Sequence, residues 1–234
     1  MFSENRTKLF FIIIIIGIAA FLVIDYQIVQ RGKDTGNVIV ENESNIKESL
    51  EASTIIAVVV ENTPVYLDEV RYYAMTTQAT YETYYIANGS KPDWNSKVDD
   101  NITLEVAVKS KLLDEICRRE SLIMQATNNE LKEELGTVLT ESDLNEIDEK
   151  TDIFYKETSP KLIERIGISK DRLKEVFRKE ALYNKLLDEA EEAGLDVDEI
   201  YEEWKKKNSI STRQEWSDIR FTKPIFTEED LTEE

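Results

Sequence analysis

The chain has 234 residues, with 29 basic against 48 acidic side chains, a net charge of −19, one cysteine and no histidine. That charge argues against binding nucleic acid or anionic lipid headgroups, because both would be repelled. Without histidine, Ser-His-Asp catalysis and most zinc sites are excluded, and a lone cysteine allows no internal disulfide.

Residues 1–8 are a short flank carrying Arg6 and Lys8. Residues 9–24, LFFIIIIIGIAAFLVI, are apolar and carry no charge. As a helix they would span ~24 Å, and continuing to Val29 brings the length to roughly 31 Å, enough for a hydrocarbon core. Asp25 and Tyr26 then fall at the interface. A cleaved signal peptide is the rival reading, with small residues at Gly17-Ile18-Ala19. The apolar run continues through Phe21-Leu22-Val23-Ile24, which favours an uncleaved transmembrane anchor over residues 9–29. Arg31 and Lys33 nearly balance Arg6 and Lys8, so charge does not set the orientation. The short flank is read as cytoplasmic and the large domain as extracytoplasmic, a single-pass protein of the cell membrane. The first 29 residues sum to zero charge, so the net charge of −19 belongs to residues 30–234.

Residues 30–53 are rich in Asn, Glu, Ser, Gly and Lys and read as a tether. Residues 54–60, TIIAVVV, read as a strand buried on both faces. Glu61-Asn62-Thr63-Pro64 reads as a turn, with Asn62 suited to a left-handed conformation. Val65 and Leu67 alternate with Tyr66 as a second short strand, after which Asp68 is placed to cap a helix ending at Asn88-Gly89-Ser90. A long helix over 103–128 carries Leu104, Val108, Leu112, Ile116, Ile123 and Ala126 on one face, beside Leu113 and Cys117. Residues 131–135 read as a further turn or two. Thr140 and Asp143 form a capping-box variant opening a helix to about 155. A short helix follows at 162–166. Ser169 caps an amphipathic helix with Leu173, Val176, Phe177, Leu182, Leu186 and Leu187 inward and Gly194 at its end. Asp196 or Asp198 opens a last helix through Ile200 and Trp204 to Asn208. Trp216, Ile219, Phe221 and Ile225 make residues 210–225 too apolar for a free arm, and Trp216 to Phe221 is expected to return as a strand against 55–60. Residues 227–234 read as an acidic disordered tail.

Residues 57–73, AVVVENTPVYLDEVRYY, resemble the opening of the SurA/PrsA family of extracytoplasmic chaperones. Val60, Pro64, Val65, Asp68 and Glu69 carry the likeness, and Asn62 stands where the turn usually has glycine. Residues 111–126, 139–147 and 169–189 are similar, in that order, to later helices of the family's N-terminal lobe. The resemblance implies a mainly α fold with a small β-sheet, a helical lobe closed by short strands over residues 54–226. Many members of the family follow this lobe with a parvulin prolyl-isomerase domain. Here about forty residues follow Gly194 and histidine is absent, so the expectation is a chaperone lobe without isomerase activity.

Tyr72, Tyr73, Met75, Tyr81, Tyr84, Tyr85 and Trp94 gather in one helix and its following loop. They are the candidates for binding unfolded or exported polypeptides, because aromatics and methionine offer wide, adaptable contact; core packing is the alternative for any single ring. Acidic runs at 141–152 and 189–192 lack the ligand spacing and central glycine of a calcium loop, and no glycine-rich phosphate loop occurs. No cofactor or metal is expected. The function expected is a membrane-anchored, ATP-independent chaperone; the alternative is a non-enzymatic adaptor of one cell-envelope complex.

Overall fold

The fold is that of a computed structural model, which describes residues 55–127, 131, 135 and 138–223. The transmembrane segment, the tether and the acidic tail read from the sequence lie outside those residues. Among the described residues no helix is long and apolar enough to cross a membrane.

The apolar run forms β1 (Ile56–Val60), with Ala57, Val58 and Val60 fully buried. β2 (Thr63–Tyr66) pairs with it antiparallel, from Val60 opposite Thr63 to Ile56 opposite Tyr66, with an irregularity between Ile56 and Val58. The tight connection puts Glu61, not Asn62, in the left-handed region, at φ 58°. A non-glycine residue there costs roughly 1–2 kcal/mol. The Glu61 N–H donates to the Ser209 carbonyl at 2.8 Å, so a contact from the far end of the chain holds the turn where local propensity would place Asn62.

α1 (Leu67–Ala87) follows β2 without a break. Its N-cap is Tyr66, which makes no side-chain capping bond, and the Leu67 N–H instead donates to the Ile55 carbonyl at 2.8 Å. Asp68 is therefore not the cap expected. It lies in the first helical turn, buried, and Arg172 Nε donates to it at 3.3 Å. The loop after α1 leads into a hairpin that the sequence did not announce, β3 (Lys97–Asp99) with β4 (Ile102–Thr103). α2 (Leu104–Thr127) then buries Leu104, Val108, Leu112, Ile116, Cys117 and Ala126, the expected stripe, while Leu113 and Ile123 are half-buried.

α3 (Glu141–Glu157) opens on the predicted capping box: the Asp143 N–H donates to Thr140 Oγ1 at 3.3 Å and the Thr140 N–H to Asp143 Oδ2 at 2.6 Å. α4 (Pro160–Ile166) is capped by Ser159, and α5 (Lys170–Glu192) by Ser169. Gly194 ends the α5 turn at φ +69°, a conformation that glycine takes without a Cβ clash. The next N–H, of Leu195, donates back to the Ala190 carbonyl at 2.8 Å. Asp196 caps α6 (Val197–Lys207), accepting from the N–H groups of Asp198 and Glu199.

The chain does return to β1, but through β5 (Ile210–Thr212), with Val60 opposite Ile210 and Val58 opposite Thr212. The sheet order is β2-β1-β5. The expected strand at Trp216 to Phe221 is instead a short helix, α7 (Gln214–Asp218), followed by an extended Ile219 and a turn at Phe221 and Thr222. β5 holds one half-buried aliphatic, Ile210, with Ser211 and Thr212 exposed, so no apolar alternation marked it, whereas Trp216, Ile219 and Phe221 are buried without pairing to a strand. The main core joins the sheet to α1, α2 and α5, and a smaller cluster around Leu122, Leu135, Leu186 and Ala190 fills the far ends of α2 and α5. The architecture is thus mainly helical, with seven helices among the described residues and small antiparallel sheets.

Candidate functional site

Helix α1 carries most of the aromatic candidates, and its two halves treat them differently. In the first half Tyr72 meets Phe154 and Phe177 edge-on, each at 5.8 Å, and Tyr73 at 5.6 Å. Tyr72, Tyr73 and Met75 are all buried. Burial drives both phenols well above their ordinary pKa, so they stay neutral. The Arg119 guanidinium lies 4.3 Å from the Tyr73 ring, a cation–π contact inside the core. These three side chains belong to the interior and do not form the client-facing surface expected of them.

In the second half the helix emerges. Tyr81 is half-buried and reaches Trp94 at 5.9 Å between centroids. Trp94 is buried, because Phe221 stacks on it at 4.9 Å. Tyr85 is half-buried, and Tyr84, in edge contact with it, is 66% exposed. Ile86 is exposed beside them on the last turn. The loop and hairpin that follow add exposed Val98 and Ile102, and Val106, in the first turn of α2, is 53% exposed. Of the seven candidates, Tyr84 is thus a fully surface residue, Tyr81 and Tyr85 are partly so, and four are core. Ile86, Val98, Ile102 and Val106 were missed by sequence reasoning. Ile102 lies in β4 and Val106 in α2, so no single period joined them in the sequence.

The base of this end is held by Glu105. Its carboxylate is buried in the first turn of α2, and Oε1 accepts from the Phe221 N–H at 2.7 Å, the Thr222 N–H at 3.2 Å and the Thr222 hydroxyl at 3.2 Å. One turn on, Lys109 lies over the Trp216 ring at 5.4 Å and donates to the Ser217 carbonyl at 3.4 Å. Burial and the nearby Arg220 lower the Lys109 pKa.

At the other end of α1 the polar residues turn inward. Lys179 of α5 donates to Glu69 at 3.1 and 3.2 Å and to Glu120 of α2 at 2.9 Å, so one ammonium ties three helices. Arg172, a further α5 cation, bonds Asp68 and lies 3.7 Å from Glu69. Burial raises the Glu69 pKa, partly offset by Lys179. Burial alone would lower Lys179, but Glu69 and Glu120 outweigh it and hold it above its usual value. This cluster is internally compensated, which suits a structural tie better than proton transfer.

Cys117 is buried and its thiol is pushed up to about 12, by burial first and then by Asp114 and Glu120. Such a thiol is a packing residue, as the sequence suggested, and is not a nucleophile. A shallow, open depression of about 500 Å³ lies where α2, α5 and the start of α6 meet, with Arg118 paired to Asp198 at 2.6 Å on its wall. Among the described residues no cluster of acidic or sulfur side chains is arranged to hold a metal ion. No protein-family model, curated protein or solved structure matches the chain.

Proposed function

We propose that the chain is a membrane-anchored, extracytoplasmic, ATP-independent chaperone of the SurA/PrsA type, acting without a prolyl-isomerase site. The observation that carries this reading is the exposed apolar end, Tyr84 and Ile86 on α1 with Val98, Ile102 and Val106 beyond the loop. Exposed aromatic and aliphatic side chains on an acidic chain are the chemistry of a site that takes apolar segments of other polypeptides. The net charge of −19 favours clients with basic residues and keeps copies of the protein from associating. The order of strand, turn, proline and helix in residues 57–73 supports the family reading. The chain contains no histidine, which supports the lack of a parvulin-type isomerase site.

The test uses the full chain in lipid nanodiscs, mixed with several unrelated chemically unfolded proteins. Light scattering is expected to fall at stoichiometric ratios, and Tyr84→Ser combined with Val106→Ser is expected to remove most of that effect. No suppression for any client defeats the reading. Stable capture of a single envelope protein, with no effect on the rest, would replace it by an adaptor role.

A further inference from the structure

We draw no further inference here: the strongest candidate, the exposed apolar patch formed by the end of α1, the β3–β4 hairpin and the first turn of α2, belongs to the site already described, and nothing in the structure shows what covers it.

Discussion

The two halves of α1 show opposite uses of one helix. From Leu67 to Gln78 the helix is buried on several sides, and its carboxylates Asp68 and Glu69 are as deeply buried as its valine. From Tyr81 onward it surfaces, with Tyr81 against Trp94, Tyr85 half-buried and Tyr84 in water. The first half is held by carboxylates paired to two cations of α5, one of which also reaches Glu120 of α2. The second half meets Trp94 through Tyr81, and Trp94 in turn stacks on Phe221, whose N–H donates to Glu105 of α2. A buried charge that loses its partner is strongly destabilising, whereas an exposed ring such as Tyr84 can change its surroundings at little cost.

Truncation after Arg213 attacks the exposed half most strongly. It removes Trp216, Ile219 and Phe221, each worth ~1.5–3 kcal/mol of burial, so the thermal melt should fall by well over ten degrees. Removing residues 227–234 alone should leave the melt where it was. If both truncations melt like the full chain, the closing segment contributes nothing and the contrast between the halves collapses.

Lys179→Met tests the buried half. The substitution leaves Glu69 and Glu120 facing each other without their shared cation, and uncompensated buried charge is expected to cost about 3 kcal/mol. Urea denaturation at neutral pH reads this directly. Burial and Glu120 both raise the Glu69 pKa, so losing Lys179 raises it further. A group whose folded pKa is raised costs stability above that pKa and less as it protonates. The deficit of Lys179→Met should therefore shrink as pH falls toward and below 4.5, the usual glutamate value. A deficit that grows on acidification would show that the cluster is not held by these charges.

A smaller effect is expected at the α3 cap, away from both halves. Asp143→Ala should cost about 1 kcal/mol. Burial acts to raise the Asp143 pKa, but the bonds from Lys185 and Thr140 outweigh it and hold it below the usual 3.8. Its contribution is thus present above about 3.8 and lost as pH falls through the lowered value. The difference between wild type and Asp143→Ala should vanish in strong acid, and calorimetry across pH 2 to 6 would check it. The smallest effect on stability belongs to the exposed rings: Tyr84→Ser with Val106→Ser should shift ΔG by no more than ~0.5 kcal/mol while altering client binding. A large loss of stability would mean these side chains are structural and the surface reading is wrong.

Much of the helical layout was legible from local chemistry. Thr140 with Asp143, Ser169, Gly194 and Asp196 each mark a helix end by bonds or dihedrals that involve only neighbours in the chain. The stripe of α2 and the strand β1 were readable because helix and strand periods place apolar side chains on predictable faces. The site was less legible. Tyr72, Tyr73, Met75 and Trp94 looked like candidate surface because their spread around a helix exceeds one stripe, and a single sequence cannot show that a helix is covered on several sides. Ile86, Val98, Ile102 and Val106 did not stand out because isolated aliphatics in a polar stretch carry no period.

The sequence by itself determined where α3 and α5 begin, where α5 ends, the apolar faces of β1 and α2, and the absence of histidine chemistry, and it narrowed the start of α6 to Asp196 or Asp198. Only the tertiary structure decided that Glu61 takes the left-handed turn, that Asp68 pairs with Arg172 instead of capping, and that Ile210–Thr212 supplies the third strand while Phe221 closes on Trp94. The physical reason is range. Caps and periodicity are set within one or two helical turns, but each of these decisions depends on a partner roughly a hundred or more residues away. Such a partner is selected by the packing of the whole core and not by the propensity of either segment.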